Sequence, residues 1–460
     1  MGKSAVRDLT QGSPMKLILG FMLPLLLGML FQQFYNMVDT IVVGQYLGVN
    51  ALAGVGSTGS INFLVLGFVI GVCAGFAIPV AQKFGSKNFD ELRKYVGNTL
   101  WISVVFAAVL TVATCLLCRN ILHWMKTPDD VFNEAYDYIF VIFMGIPVTF
   151  LYNTLSGFIR SLGDSKTPVI FLVISSLLNI ALDIFTIVVL KMGVSGAGYA
   201  TVISQLVSGV LCLVFIAKRF EILRLKKEDL KPSMYYIGRL CAVGLPMGLQ
   251  YSITAIGTIL IQTAVNGLGS AYIAAVTAGG KVGQFMCCPF DAMGGTMATY
   301  GGQNVGAGKL SRVKRGLFDC ILLGVVYAVI ALIIAAFLGS RLAMLFISSE
   351  DAAAGNVDEI LEFSRQFLVT NAAFYIPLAF VNIVRFLIQG MGSSQVAVYA
   401  GVFELAARGL VALLFVPKFG FDAVCFANPA AWVLADAFLI PAFFGCFNSV
   451  KKRIPEQEDR

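Results

Sequence analysis

KRFEILRLKKEDLKPSMYYIGR, residues 218–239, is the longest polar stretch between apolar runs, and it falls at the middle of the chain. On either side of it the sequence is mostly apolar. Of 460 residues, 58% are hydrophobic and 13% charged, with mean hydropathy +0.83, against roughly a quarter charged in a soluble protein. Crossing about 30 Å of hydrocarbon takes roughly 20 residues of helix, so the chain has room for about a dozen spans and no sizeable soluble domain. Long apolar runs, not ten-residue alternating segments, exclude a β-barrel. The 46 glycines fit helices that approach closely in lipid.

The runs between breakers predict twelve spans: 15–45, 51–81, 95–118, 132–159, 167–190, 196–217, 236–266, 271–300, 314–338, 363–389, 395–416 and 422–447. Of the 33 Lys and Arg, one set of alternate loops holds only Arg119, Lys126, Lys191, Arg341, Arg365 and Lys418; the other set holds nearly all the rest. Basic residues mark the cytoplasmic side, so both termini are expected in the cytoplasm of a multi-pass cell-membrane protein. The formal charge of +7 is spread over loops as a topology signal, which argues against a nucleic-acid partner. No small-residue cleavage site follows the first span, which reads as a retained helix. The ten cysteines lie in or at the ends of apolar runs; Cys115-x-x-Cys118 lacks a second ligand pair, so neither a metal site nor a structural disulfide is expected.

The polar stretch reads as a linker between two halves, residues 1–225 and 226–460. A shift of about 221 to 230 residues lays Leu23-Pro24 on Leu245-Pro246, Leu47-Gly48 on Leu268-Gly269, Gln82-x-x-Gly85 on Gln303-x-x-Gly306, Ile146-Pro147 on Ile376-Pro377 and Gly163 on Gly392. One order held through six spans predicts two homologous six-helix bundles. With six spans each, both halves start on the same side, which makes the repeats parallel, with a cavity expected between them.

An ionisable side chain inside a span costs at least roughly 2.5–3.5 kcal/mol and is a functional candidate by default. In the first half these are Asp39 and Asp183, on spans that both run outward, at similar depth. Gln32, Asn36 and Asp39 share one helix face, and Ser175, Asn179, Asp183 and Thr186 form a second polar stripe; span 6 adds Thr201, Gln205 and Ser208. No Lys or Arg lies at that depth in spans 1, 2, 5 or 6. Two carboxylates without a basic partner cannot both stay charged and dry. Either a proton on one carboxyl or a metal ion held by Asp, Asn and hydroxyl oxygens is required.

In the second half, Lys281 and Asp291 lie on span 8 and Glu404 and Arg408 on span 11, where they either hold a polar substrate in a cavity or pair as an internal ion bridge. Lys281 is a possible partner of Glu404. Arg385, near the inner end of span 10, is expected to snorkel to the interface. Pro24, Pro147, Pro246 and Pro377 lie inside spans and should bend them; Pro24 shares its helix with Asp39, so a bend there can link cation binding to cavity shape. No phosphate-binding loop accompanies Gly2-Lys3-Ser4 or Gly308-Lys309, and the single His123 sits in an outer loop, so neither ATP-driven transport nor an intramembrane enzyme is indicated.

The first span with Pro24, VDTIVVGQYLG (38–48), AQKFGSKNFDELRK (81–94), RSLGDSKTP (160–168), NIALDIFTIV (179–188), GAGYATVISQ (196–205) and GQNVGAGK (302–309) together resemble the multidrug and toxic compound extrusion (MATE) family over nearly the whole chain. That resemblance implies an all-α fold of twelve transmembrane helices in two six-helix lobes, and export of organic compounds in exchange for Na⁺ or H⁺. No cofactor beyond the coupling ion is implied, and the expected partners are a small-molecule substrate and the bilayer around a single chain. The family's first-lobe cation site matches Asp39, Asp183 and Asn179, which would be the metal ligands if the ion is Na⁺, with Tyr138, Asn153 and Thr201 at the matching polar positions. NorM-like members carry acids on the seventh and tenth helices; here span 7 has none and span 10 offers Asn371, so the chain looks DinF-like. A flippase for lipid-linked saccharides shares the broader fold, but it would favour a strongly cationic cavity. The acidic first lobe and mixed second lobe point instead to cationic or zwitterionic amphiphiles.

Overall fold

The computed structural model describes residues 7–347 and 357–453, and over them the chain is helical, without strands. The first half forms α1 (Pro14–Leu47), α2 (Val49–Ser57), α3 (Gly59–Gly85), α4 (Phe89–Trp124), α5 (Phe132–Met144), α6 (Ile146–Ser161), α7 (Lys166–Ile184) and α8 (Val194–Arg219). The second forms α9 (Met234–Asn266), α10 (Ser270–Gly306), α11 (Leu310–Met344), α12 (Val357–Ala373), α13 (Tyr375–Gly390), α14 (Ser394–Leu410), the short α15 (Val416–Phe419) and α16 (Phe421–Arg453). Among the described residues nine helices are long and apolar enough to cross a membrane, and two bent pairs, α5–α6 and α12–α13, each make a further span. The 37-residue, glycine-rich α10, which carries Lys281 and Asp291, is not among these but is long enough to be the twelfth. Large side chains on α4 and α11 stay on the outside, with Leu116 78% and Phe337 80% exposed. Lipid is the solvent that tolerates such a surface.

The repeat expected from the sequence recurs in the backbone. Where the sequence suggests single spans at 132–159 and 363–389, the structure breaks both, by 47° at Gly145 and by 52° beside Phe374. Pro147 and Pro377 follow the breaks directly; each lacks the N–H that would tie the next turn to the preceding one. Pro24 and Pro246 lie instead within unbroken α1 and α9, and Pro79, Pro289, Pro429 and Pro441 are likewise inside helices. A π-helical turn follows α7 at Phe185–Val189, and another follows α14 at Val411–Phe415. Gly163 and Gly392 end α6 and α13 with φ of 86° and 88°, a conformation that disfavours any side chain.

Two compact units are distinguished. The first comprises Met1–Gln11, Leu23–Ser252 and Gly302–Ala307. In it α3 packs on α4 and α6, while α8 packs on α5, α6 and α7. The N-terminal half of α9 joins it through glycine: a Cβ on Gly75 would lie 2.5 Å from Gly244 Cα, and one on Gly71 would lie 2.5 Å from the Met247 carbonyl. The segment 302–307 meets its own counterpart, since a Cβ on Gly85 would strike the Gln303 backbone and a Cβ on Gly306 the Gln82 backbone. Gln303 is further held by the Leu9 N–H, which donates to its Oε1 (2.9 Å), and by its own Nε2, which donates to the Ser161 carbonyl (2.8 Å).

The polar linker is not a free tether. The Ser233 N–H donates to Asn98 Oδ1 (2.8 Å), Trp101 Nε1 donates to the Leu230 carbonyl (2.7 Å), and Arg93 Nε lies 3.5 Å from the buried Asp229 carboxylate. The first unit therefore continues past the expected boundary at 225. The second unit comprises Gly12–Met22, Ile253–Gly301 and Gly308–Arg460; within it α11 packs on α12 and α13, and α16 on α12, α13 and α14.

Candidate functional site

In the first unit α1 brings Asp39, and the last turn of α7 brings Asp183 with 0% exposure. The two carboxyl groups lie within hydrogen-bonding range of each other. Such a bond exists only when one of them carries a proton, because two carboxylates are both acceptors. The Oδ1 atoms of Asp39 and Asp183 are buried and have no hydrogen-bond partner. The Asn179 amide, one turn before Asp183, donates to Asp183 Oδ2 (3.2 Å) and accepts from the Thr201 backbone N–H (3.2 Å) in the orientation that satisfies both its ends. Tyr138, buried on α5, stands beside both carboxyls. The site thus joins α1, α5, α7 and α8. The π turn begins two residues beyond Asp183, at the kind of irregularity that is frequent at functional positions.

Asn153 does not reach the carboxyl pair; its Nδ2 donates to the Thr149 carbonyl of its own helix (2.9 Å). It lines, with Gln32 and Thr201, a cavity of about 240 Å³ that opens beneath Asn179. Asn36 lies exposed on α1, away from that lining. Two groups stand out in the structure that the sequence reading passed over, Tyr35 and Arg160. Tyr35 lines the cavity and bonds through its side chain to Thr201. Gln205 Oε1 accepts from Thr149 Oγ1 (2.9 Å), and Arg160 lines the cavity rather than serving only as a loop charge.

In the second unit the charges divide into two groups. Lys281 and Asp291 are exposed on α10, with Lys281 Nζ 6.0 Å from the centre of the Phe346 ring. Glu404 and Arg408, by contrast, are 4% and 6% exposed. Glu404 pairs with Arg385, not Lys281, and lies 3.4 Å from Arg408 Nη2. Arg385, 4% exposed, therefore does not snorkel: the ion pair with Glu404 holds it inside. Arg408 Nε donates to Asn428 Oδ1 (3.3 Å), and Asn428 Nδ2 donates to Asn371 Oδ1 (3.3 Å). Asp436 on α16 lies near Arg385 and Glu404, with a buried Oδ1 that has no partner. The sequence carried the same signal for Asp436 as for Asp183, an acid flanked by apolar residues, in WVLADAFLI (432–440).

A twelve-span helical protein with a carboxyl pair and a polar cavity buried in one of its bundles has the make-up of a membrane transporter. The MatE family profile matches residues 24–185 and 246–413, one repeat each, and the chain belongs to that family of transporters, whose members are not enzymes. It is 30% identical over 338 residues to the probable multidrug resistance protein YoeA of Bacillus subtilis, covering 72% of this chain and 73% of that protein. It is 23% identical to an FAD transporter of Shewanella oneidensis over 80% of each chain. Among solved structures, an outward-facing multidrug resistance MATE transporter superposes with a TM-score of 0.89 at 21% identity, covering 98% of this chain and all of that one. The chain is a multi-pass membrane protein of the multidrug-efflux kind.

Proposed function

We propose that the protein exports cationic or zwitterionic organic amphiphiles across the plasma membrane, in antiport with a cation carried at Asp39 and Asp183. The observation that supports this is the carboxyl pair itself, two neighbouring acids with no ion pair to any described basic residue. A proton is the cation this geometry suits best, since two neighbouring buried carboxyls without a basic partner cannot both stay charged and dry. Na⁺ is the second reading: Asp39, Asp183 and Asn179 supply oxygens, with Thr201 and Tyr138 close by. In either case one bound cation takes the pair from two negative charges to one and relieves their repulsion, so loading changes how α1 and α7 can pack. Relatives have been solved in bent and in straight conformations, and Pro24 on the helix of Asp39 is the position where such bending fits this chain.

The acid-free seventh span and Asn371 support placing the chain nearer the DinF-like branch, with coupling in the first bundle. Exposed Lys281 and Asp291 are proposed as substrate contacts of the second bundle, and the protein as a monomer with both termini cytoplasmic. The deciding experiment is flux in proteoliposomes under a pH gradient and a Na⁺ gradient imposed separately. Export driven by the pH gradient alone is expected; export insensitive to both gradients would overturn antiport.

A further inference from the structure

The cavity below Asn179 has a polarity that the carboxyl pair does not explain. Its walls come from α1, α3, α6, α7 and α8, all within the first unit. Along α7 it runs from Pro168 to Asn179, about 16 Å at 1.5 Å per residue. Ser175, Ser176, Ser204 and Ser208 give it hydroxyls, while Leu25 and Met29 on α1 give it an apolar side. At its cytoplasmic end stands Arg160. The guanidinium is turned inward, near Tyr152 and the buried Cys73 and Cys212. Arg160 forms no ion pair with any described carboxylate. The acid nearest in sequence, Asp164, is committed elsewhere: its oxygens accept from the Lys166 and Thr167 N–H groups (3.0 Å each) and from Thr167 Oγ1 (2.6 Å).

A guanidinium is always charged and presents a planar fork that matches an oxyanion. Facing a confined cavity without a counter-charge, it is the group an anionic ligand would neutralise. A volume of about 240 Å³ falls below the roughly 300–1,000 Å³ of sites that enclose a drug-sized molecule. The cavity is therefore the size of a head group, not of a whole amphiphile.

We propose that this cavity binds the oxyanion head of an amphiphile, a carboxylate or a phosphate, with Arg160 as its cation and Leu25 and Met29 against its apolar body. The inference rests on the export reading for its biological meaning, but binding to the purified protein tests it without any flux. A zwitterion would then span the cavity, its anion at Arg160 and its cation toward the carboxyl pair.

The test is equilibrium binding of three probes, naphthylacetate, naphthyl phosphate and the methyl ester of naphthylacetate, to the full-length protein in phosphatidylcholine nanodiscs. Either anion should bind about tenfold or more tightly than the ester, as expected of a charge-assisted bidentate contact. Arg160→Gln should remove that preference and leave ester binding unchanged, and Arg160→Lys should restore part of it. Equal affinity of ester and anions in the wild type, or a preference that survives Arg160→Gln, would overturn the proposal. Should Arg160→Gln fail to fold, Ser176→Leu, which narrows the cavity and keeps the charge, must weaken anion binding; unchanged affinity would also overturn it. Loss of probe binding when phosphatidylglycerol is added to the nanodiscs supports the same site with a lipid head as its occupant. If anions bind as expected while neither gradient drives flux, the export reading fails and the anion site stands.

Discussion

Asp183 is the side chain on which the antiport reading turns. Asp183→Asn should abolish gradient-driven export while leaving the melting temperature near wild type, because a neutral amide resembles the protonated acid but cannot release a proton. Full gradient-dependent flux in that variant would retire the site. Asp39 and Asp183 were legible in the sequence because acids are rare in apolar runs and helix spacing puts Asn179 on the face of Asp183. Arg160, counted as a topology charge, and Arg385, expected to snorkel, were misread for one reason: nothing in a one-dimensional pattern tells whether a basic side chain near the end of a span turns outward or inward. In the second unit the burial of Glu404 between Arg385 and Arg408 favours a packing role over selectivity. Glu404→Gln should therefore lower export of every substrate alike and destabilise the fold, by about 3–5 kcal/mol if the full cost of breaking a buried pair is met. Lys281→Ala, at an exposed position, should alter which compounds are exported without shifting the melting temperature. A panel of cationic, zwitterionic and anionic substrates, read beside a thermal melt, separates the two outcomes.

At the level of the helix, apolar length predicted where the spans lie but not where they break. The proline pattern gave the repeat, Pro147 with Pro377 and Pro24 with Pro246, yet the first pair interrupts its spans while the second is absorbed by unbroken helices. The π turns after α7 and α14 had no sequence signature at all, since an extra residue in a turn changes no side-chain type. The glycine contacts of α3 with α9 were visible only as an abundance of glycine. They give a sharp prediction: Gly75→Leu must displace the backbone at Gly244, and overpacking of that kind costs about 1–3 kcal/mol. A fall in melting temperature is the expected readout, and an unchanged melt would show that α3 and α9 do not pack this closely. Pro24→Ala, which restores one backbone bond in α1, should slow export while sparing the melting temperature; unimpaired export would remove Pro24 from the coupling account.

For the whole chain, the charge asymmetry of the loops predicts a cytoplasmic linker. With native cysteines removed, a cysteine at the exposed Lys227 should react with a membrane-impermeant thiol reagent only after the cells are permeabilised. Labelling of intact cells would reverse the topology and the depth argument for the carboxyl pair. One further feature bears on ancestry. The Gln-x-x-Gly motif at 82–85 packs against its own copy at 303–306, each glycine on the other copy's glutamine backbone. A surface that recognises itself is the mark of a two-fold pair of identical molecules. An ancestral half-length polypeptide could have formed this contact as a homodimer, where each change of codon altered both sides at once and a tolerable change had to be tolerable twice. Joining the two copies in one reading frame lifted that restriction. Lys83 and Phe84 could thereafter drift to Asn304 and Val305, while the glutamine and glycine that touch across the pair stayed in both.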